Sequence, residues 1–325
     1  MFNTRLSLYV TEGRPRCQLV VFSSSVSAAL ADVKRESMRT LKSSISRRNF
    51  VAAVAAAAAA RGELRAARRI PVALELYSLR QDAAKDLSGT LSAIAKMGYA
   101  GIELVGEKGG LQNTSPFGRS AQEVRKMLDD LNLKVFSAHH TMTLLRDDAL
   151  ERTVEFNQVL GNSRVICAWL DPTKTIQPWY DHAKRFNEIA EKLKGHKMQL
   201  GFHNHAHELD PVEGKLPWDV FCDNTRKDII LQLHVAAFPP KGLDVIEYVR
   251  RYPGRVTTLH LNDYAAGRRG VLLGEGTVNW KALFETAEKT GGLEVYIIEQ
   301  EGYPEGMSPM EACRRCLENF RKLQG

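Results

Sequence analysis

Leu200-Gly201-Phe202-His203-Asn204-His205-Ala206-His207-Glu208 sets three histidines and a glutamate directly after an apolar, strand-like run. Side chains alternate between the two faces of a β-strand, so His203 and His205 share one face and Asn204 takes the other. Further along, Leu231-Gln232-Leu233-His234, Leu259-His260-Leu261-Asn262-Asp263 and Tyr296-Ile297-Ile298-Glu299 also run from apolar residues into a group able to ligate a metal. One such residue at a strand end means little. Four successive strand ends carrying His or Glu point to a single site at one rim of a barrel.

The rest of the chain keeps the same beat. Apolar, β-rich runs fall at 72–77, 100–104, 134–138, 164–169, 199–204, 229–235, 256–262 and 295–299. Segments with helical apolar spacing fall at 87–97, 121–131, 149–160, 180–193, 218–224, 245–252, 280–290 and 309–323. Eight of each over residues 70–325 predict an α/β protein, a single-domain (β/α)8 TIM barrel. A doubly wound open sheet would want a glycine-rich phosphate loop after the first strand, and Leu76-Tyr77-Ser78-Leu79-Arg80 is not one. Barrel sites lie at the C-terminal strand ends. Those ends offer Glu103, the adjacent pair His139-His140, Trp169, His203 with His205, His234, His260 and Glu299. Of two adjacent histidines in a strand only one points inward.

The formal charge of +7 belongs to the N-terminal segment. Residues 1–69 hold 13 Lys/Arg against 4 Asp/Glu, whereas residues 70–325 hold 32 against 34. The near-neutral barrel region gives no support for nucleic-acid binding. Ser46-Arg47-Arg48-Asn49-Phe50 precedes a run, 51–60, made only of Val and Ala. That pattern resembles a twin-arginine export signal and is too short to span a bilayer. The expected organisation is an extension or mis-called start over 1–37, signal and linker over 38–69, and the barrel over 70–325, with the export machinery as a partner, no stable membrane anchor, and a periplasmic or secreted destination. The five cysteines are too few, too scattered and odd in number for a disulfide framework.

Neutral imidazole and carboxylate together suit one divalent transition ion, Mn, Fe, Co, Ni or Zn, and the absence of Cys from the set argues against a structural thiolate zinc. Such an ion can polarise a sugar carbonyl while a nearby His or Glu moves the proton on the adjacent carbon. Isomerisation, epimerisation, dehydration and β-elimination all follow that pattern. His203, His234, His260 and Glu299 are the expected ligands, with His203 and Glu299 also candidates for proton transfer. Glu103, Trp169, His205 and Glu208 are expected to contact substrate. Arg268-Arg269 reads as a solvated loop pair.

Residues 70–325 resemble the xylose isomerase-like barrels of sugar phosphate isomerases and epimerases, a group that includes inosose dehydratase and AP endonucleases. The motifs are Leu76–Arg80, Gly98-Tyr99-Ala100-Gly101-Ile102-Glu103, Gly201–His205, His260-Leu261-Asn262-Asp263, Leu273-Gly274-Glu275-Gly276 and Tyr296–Glu301. The resemblance implies one metal held from strands five to eight, commonly by Glu, Asp, His and Glu, which fall on His203, His234, His260 and Glu299. Two positions depart. His203 stands where epimerases keep a catalytic Glu, which favours dehydratase-like and lyase members, and His234 replaces the usual Asp. Asn262 stands where many relatives have Lys and is expected at the substrate. Family position also selects His139 for a proton-transfer or substrate role. The resemblance implies a small carbohydrate substrate and leaves room for a homodimer.

The leading expectation is an exported, metal-dependent isomerase, epimerase or lyase acting on an unphosphorylated sugar or keto-sugar, since sugar phosphates are largely intracellular. An AP-endonuclease-type nuclease is disfavoured by the barrel's near-neutral charge and by the lack of a second His in His234-Val235-Ala236-Ala237-Phe238. A carbohydrate-binding barrel that has lost its metal is the remaining alternative.

Overall fold

The computed structural model describes residues 70–105 and 115–325. The export-signal reading and the boundaries within 1–69 lie outside the described residues. In chain order, β1 (Val72–Glu75) is followed by α1 (Arg80–Lys85) and α2 (Leu87–Met97). Then come β2 (Gly101–Leu104), α3 (Ala121–Asp130), β3 (Lys134–His140), α4 (Leu150–Val159), β4 (Arg164–Cys167) and α5 (Gln177–Gly195). The second half holds β5 (Gln199–His203), α6 (Pro217–Asn224), β6 (Ile230–His234), α7 (Val245–Arg251), β7 (Thr258–Leu261), α8 (Trp280–Thr286), β8 (Val295–Ile298) and α9 (Pro309–Leu323). Every strand pairs in parallel with the next, and β8 returns to β1 with Val72 beside Tyr296, closing the expected (β/α)8 barrel. Across that seam Ser78 Oγ accepts from the Gln300 N–H at 2.9 Å and Tyr303 donates to Ser78 O at 2.6 Å.

The helix starts are written locally. Ser120 and Glu123 form a reciprocal capping box on α3, Asp86 accepts from the Gly89 N–H at α2, and Ser308 followed by Pro309 opens α9. Their apolar faces pack on the outward faces of the strands, as Leu91, Ile94, Val124, Phe186 and Trp218 join Leu74, Ile102, Val165, Leu231 and Leu259 in one core. No described helix is long and apolar enough to cross a membrane.

Boundaries differ from hydropathy where the ladder stops before the apolar run does. The run 72–77 pairs only to Glu75, because Leu76–Leu79 turns into a 3-10 helix. The run 164–169 pairs only to Cys167, so Trp169 stands in the loop beyond β4. α1 has no predicted counterpart, since a six-residue helix burying only Ala83 leaves no periodic stripe. The segment 280–290 is α-helical to Thr286 and then widens into a π turn, Ala287–Gly291.

Two details position the site. The pairing of β2 with β3 shifts register between Ile102 and Glu103, opposite the stretch around Ser137. Val135 and Ala138 belong to the outer core whereas Phe136 packs with the separate cluster of Ala73, Val295 and Ile297. An extra residue in β3 therefore resets the alternation, as a β-bulge does, and turns His139 to the barrel interior while His140 faces the helices. Below the site the interior is apolar and tight: a Cβ on Gly201 would lie 2.5 Å from Ile166 Cδ1 and 2.9 Å from Ile230 Cβ.

Candidate metal centre

His203, His234, His260 and Glu299 come from the C-terminal ends of β5, β6 and β7 and from the residue after β8. All four are buried, and one donor atom from each lies within 4.8 Å of the others. Glu299 Oε2 is the hub, 3.1 Å from His234 Nδ1 and 2.9 Å from His260 Nδ1. The His203 ring stands 4.3 Å from His260 and 5.3 Å from His234, centroid to centroid. Its Nδ1 is buried without a hydrogen-bond partner, as is that of His205. A buried polar atom left unpaired is costly unless an ion or ligand satisfies it. Three imidazoles and one carboxylate converging with a lone pair to spare fit a divalent ion of the borderline class.

The electrostatics are set by buried histidines and carboxylates that hydrogen-bond one another. Burial opposes the charge on Glu299, but hydrogen bonds from His234 and His260 outweigh it and hold the carboxyl well below its usual range. Burial likewise opposes charging of His260, yet Glu103 and Glu299, bonded to opposite ring nitrogens, push it up to about 10. His260 is thus an imidazolium when hydrogen-bonded to both carboxylates, and a metal at one nitrogen would displace a proton. Burial, reinforced by the neighbouring histidines, holds His203 well below the usual imidazole range and pushes His205 down to about 3.

The other expected residues separate by depth. Glu103 and His139 lie in the floor: Glu103 Oε2 receives His260 Nε2 at 2.5 Å, and His139 Nε2 bonds Gln232 Oε1 at 2.8 Å. Carboxylate–histidine contacts of this kind fix the tautomer and raise the basicity of a metal-ligating ring. Asn262 lies against the His234 ring, its Nδ2 3.1 Å from Nδ1, and its Oδ1 accepts from the Ala236 N–H. Trp169 stands at the mouth, 46% exposed, with its ring 4.8 Å from His205 and 4.6 Å from His207. Glu208 joins neither group of candidate ligands. It braces its own loop, accepting from the His205 N–H at 2.8 Å, and burial pushes its carboxyl up to about 7. His140 points outward to Asn157 and Phe156. Cys313 and Cys316 are buried free thiols.

Sequence reasoning missed Glu75, Gln232, Asn204 and Glu301. Glu75 is fully buried in the floor. Gln232 donates to Glu103 Oε1 at 2.7 Å. Asn204 Oδ1 accepts from the His234 N–H at 3.0 Å. Glu301, at the rim, lies 3.9 Å from His234 Nε2. The available signal was a polar residue flanked by leucines within an apolar run, as in Leu74-Glu75-Leu76 and Leu231-Gln232-Leu233.

Beyond β7, Asp263 organises the loop that borders the mouth. It accepts from the N–H groups of Tyr264, Gly274 and Gly276 and from Trp280 Nε1. A Cβ on Gly276 would lie 2.1 Å from Asp263 Oδ1, which explains the glycine.

A family model described as "Xylose isomerase-like TIM barrel" matches residues 91–323. No curated protein matches the chain. Among solved structures, a sugar phosphate isomerase/epimerase from Parabacteroides distasonis ATCC 8503 is 24% identical over 78% of this chain and 94% of its own, with a TM-score of 0.65. An L-ribulose 3-epimerase is 16% identical over 79% and 96%, TM-score 0.57. The probable 3-DHS dehydratase of petrobactin synthesis from Bacillus anthracis is 14% identical over 77% and 99%, TM-score 0.58. At these identities the shared property is the fold.

Proposed function

The chain belongs to the xylose isomerase-like TIM barrel family, and from that premise we propose that it is a metal-dependent isomerase, epimerase or lyase that moves a proton on a sugar or keto-sugar. The observation that carries the reading is the convergence of His203, His234, His260 and Glu299 from four consecutive strand ends, with donor atoms within 4.8 Å. The activities for which the structural neighbours are named, isomerase/epimerase and dehydratase alike, support the same reaction class.

His203, His234, His260 and Glu299 would hold a divalent ion, which would supply Lewis acidity toward a substrate carbonyl. The chain's own residues supply orientation and proton transfer. Asn204 and Asn262 brace the end of β6 and so fix where the His234 ring lies. Glu103 orients His260 from below. His203 is held neutral by burial and its Nδ1 has no hydrogen-bond partner, which makes it the candidate for either an ion or the substrate proton. Trp169 and His205 wall one side of the mouth with aromatic faces suited to the C–H side of a sugar ring. Three imidazoles in place of a carboxylate-rich set favour Zn, Co, Fe, Ni or Mn over the hard alkaline-earth ions. The arginine pair and apolar run ahead of the barrel support export, and with it an unphosphorylated substrate.

The test is bound metal by elemental analysis alongside exchange of substrate C–H protons in D2O over a panel of aldoses and keto-sugars. His234→Ala is expected to lower bound metal by about one equivalent. Glu299→Gln is expected to abolish exchange. His203→Gln separates the two roles of that residue: lost metal marks a ligand, retained metal with lost exchange marks the base. Wild-type protein that binds sugar with neither metal nor exchange overturns the reading in favour of a carbohydrate-binding barrel.

A further inference from the structure

We propose that the floor of this site is a second divalent-cation site, held by Glu75, Glu103, His139 and His260, with the His260 ring bridging it to the site at the mouth. One donor atom from each of these four buried residues lies within 4.8 Å of the others. Independently, both oxygens of Glu75 are buried without a hydrogen-bond partner, although the residue is fully enclosed. Ionising a carboxyl in that setting carries a large desolvation cost, which a proton or a cation in the floor offsets.

The geometry assigns a nitrogen to each ion. Gln232 Nε2 donates to Glu103 Oε1 and to Thr258 Oγ1, which leaves Gln232 Oε1 to accept from His139 Nε2–H. With Nε2 engaged by Gln232, His139 turns its Nδ1 toward Glu75, 3.8 Å from Oε1. The gap is too wide for a hydrogen bond. It suits two ligands of one ion, since metal–ligand bonds of about 2.0–2.2 Å place neighbouring donors roughly 3–4 Å apart. His260 completes the set. Its Nδ1 faces Glu299 at 2.9 Å and its Nε2 faces Glu103 at 2.5 Å, so one ring presents a nitrogen to each cluster.

With both sites filled the His260 ring would give up both of its protons to solvent and bridge as an imidazolate, one nitrogen to each ion. The charge closes as well, because the carboxylates of Glu75, Glu103 and Glu299 and the bridging imidazolate would balance two divalent cations. Two carboxylates and two imidazoles without sulfur select the Zn, Co and Mn class. The proposal stands on the floor's own donors and does not require the mouth to be catalytic.

The experiment strips the full-length protein with a chelator, titrates it with Co2+ and measures bound cobalt after gel filtration. Far-UV circular dichroism verifies the fold of each variant. Wild type is expected to bind two equivalents, and Glu75→Gln and His234→Ala one each. Wild type binding one equivalent, unchanged in Glu75→Gln and lost in His234→Ala, overturns the floor site, leaves the mouth site standing and assigns a proton to Glu75. No cobalt in wild type overturns both. Should Glu75→Gln fail to fold, His234→Ala still decides, because a variant that binds none leaves the floor without an ion.

Discussion

Two layers of the barrel interior, one step apart along the strands, follow opposite rules. The lower layer is filled as barrels usually are, with Ala73, Phe136, Val295 and Ile297 in contact and Gly201 fitted between Ile166 and Ile230. The upper layer holds Glu75, Glu103, His139, Gln232 and His260, almost without solvent exposure and with few partners outside the group. Apolar filling yields stability from close packing. Ionisable filling costs stability and is sustained only by mutual neutralisation, by protons or by a cation. The contrast teaches that the site is built downward from the mouth into space where other barrels place branched aliphatics.

A third position sharpens the contrast with the largest expected effect. His140 is as buried as the upper layer but faces the helices, where Asn157 Nδ2 lies 3.1 Å from its Nε2. Burial pushes it down to about 4 from an ordinary value of 6.5. A histidine with a depressed folded pKa binds fewer protons than the unfolded chain, so its neutral form favours folding above pH 6.5 and that contribution is lost as pH falls toward 4. Over that window the loss is about 3 kcal/mol. Urea unfolding at pH 7 and pH 4.5 in wild type and His140→Gln measures it. The variant is expected to lose clearly less stability on acidification, and parallel losses would show that His140 is not held neutral.

The next effect isolates the lower layer. Gly201→Ala forces Ile166 and Ile230 to shift and is expected to cost about 1–3 kcal/mol, the usual range for overpacking. Bound metal should not change, because the residue touches neither cluster of donors. A variant of unaltered stability, or one that sheds metal, would break the separation of the two layers.

What was legible in the sequence follows the same division. His203, His234, His260 and Glu299 were readable because each ends an apolar run, and a polar group there has few reasons to exist other than a site. Glu75 and Gln232 were not, because a single polar residue within an apolar run is hidden among the leucines on both sides. The inward turn of His139 depends on a bulge near Ser137, a register event that hydropathy does not encode. The helix α1 escaped for want of a buried stripe, and Trp169 was drawn into β4 because its apolar character outlasts the hydrogen-bonded ladder.

The smallest expected effect lies at the outer edge of the polar layer, where the site meets solvent. Trp169 is the exposed large hydrophobic residue of the described chain, at 46%, and its indole nitrogen is already occupied by Asp171 Oδ1 at 2.9 Å. The ring face is therefore what it has left to offer, beside His205 and His207. Stacking of that kind contributes about 0.5–1.5 kcal/mol. Trp169→Ala is expected to raise KM for whichever sugar proves active by roughly 2–10-fold, the same energy expressed as affinity. Because the side chain belongs to neither donor cluster, kcat and bound metal should stay within twofold. A fall in kcat with KM unchanged would place the indole in the chemical step and move the boundary between mouth and machinery outward from His205.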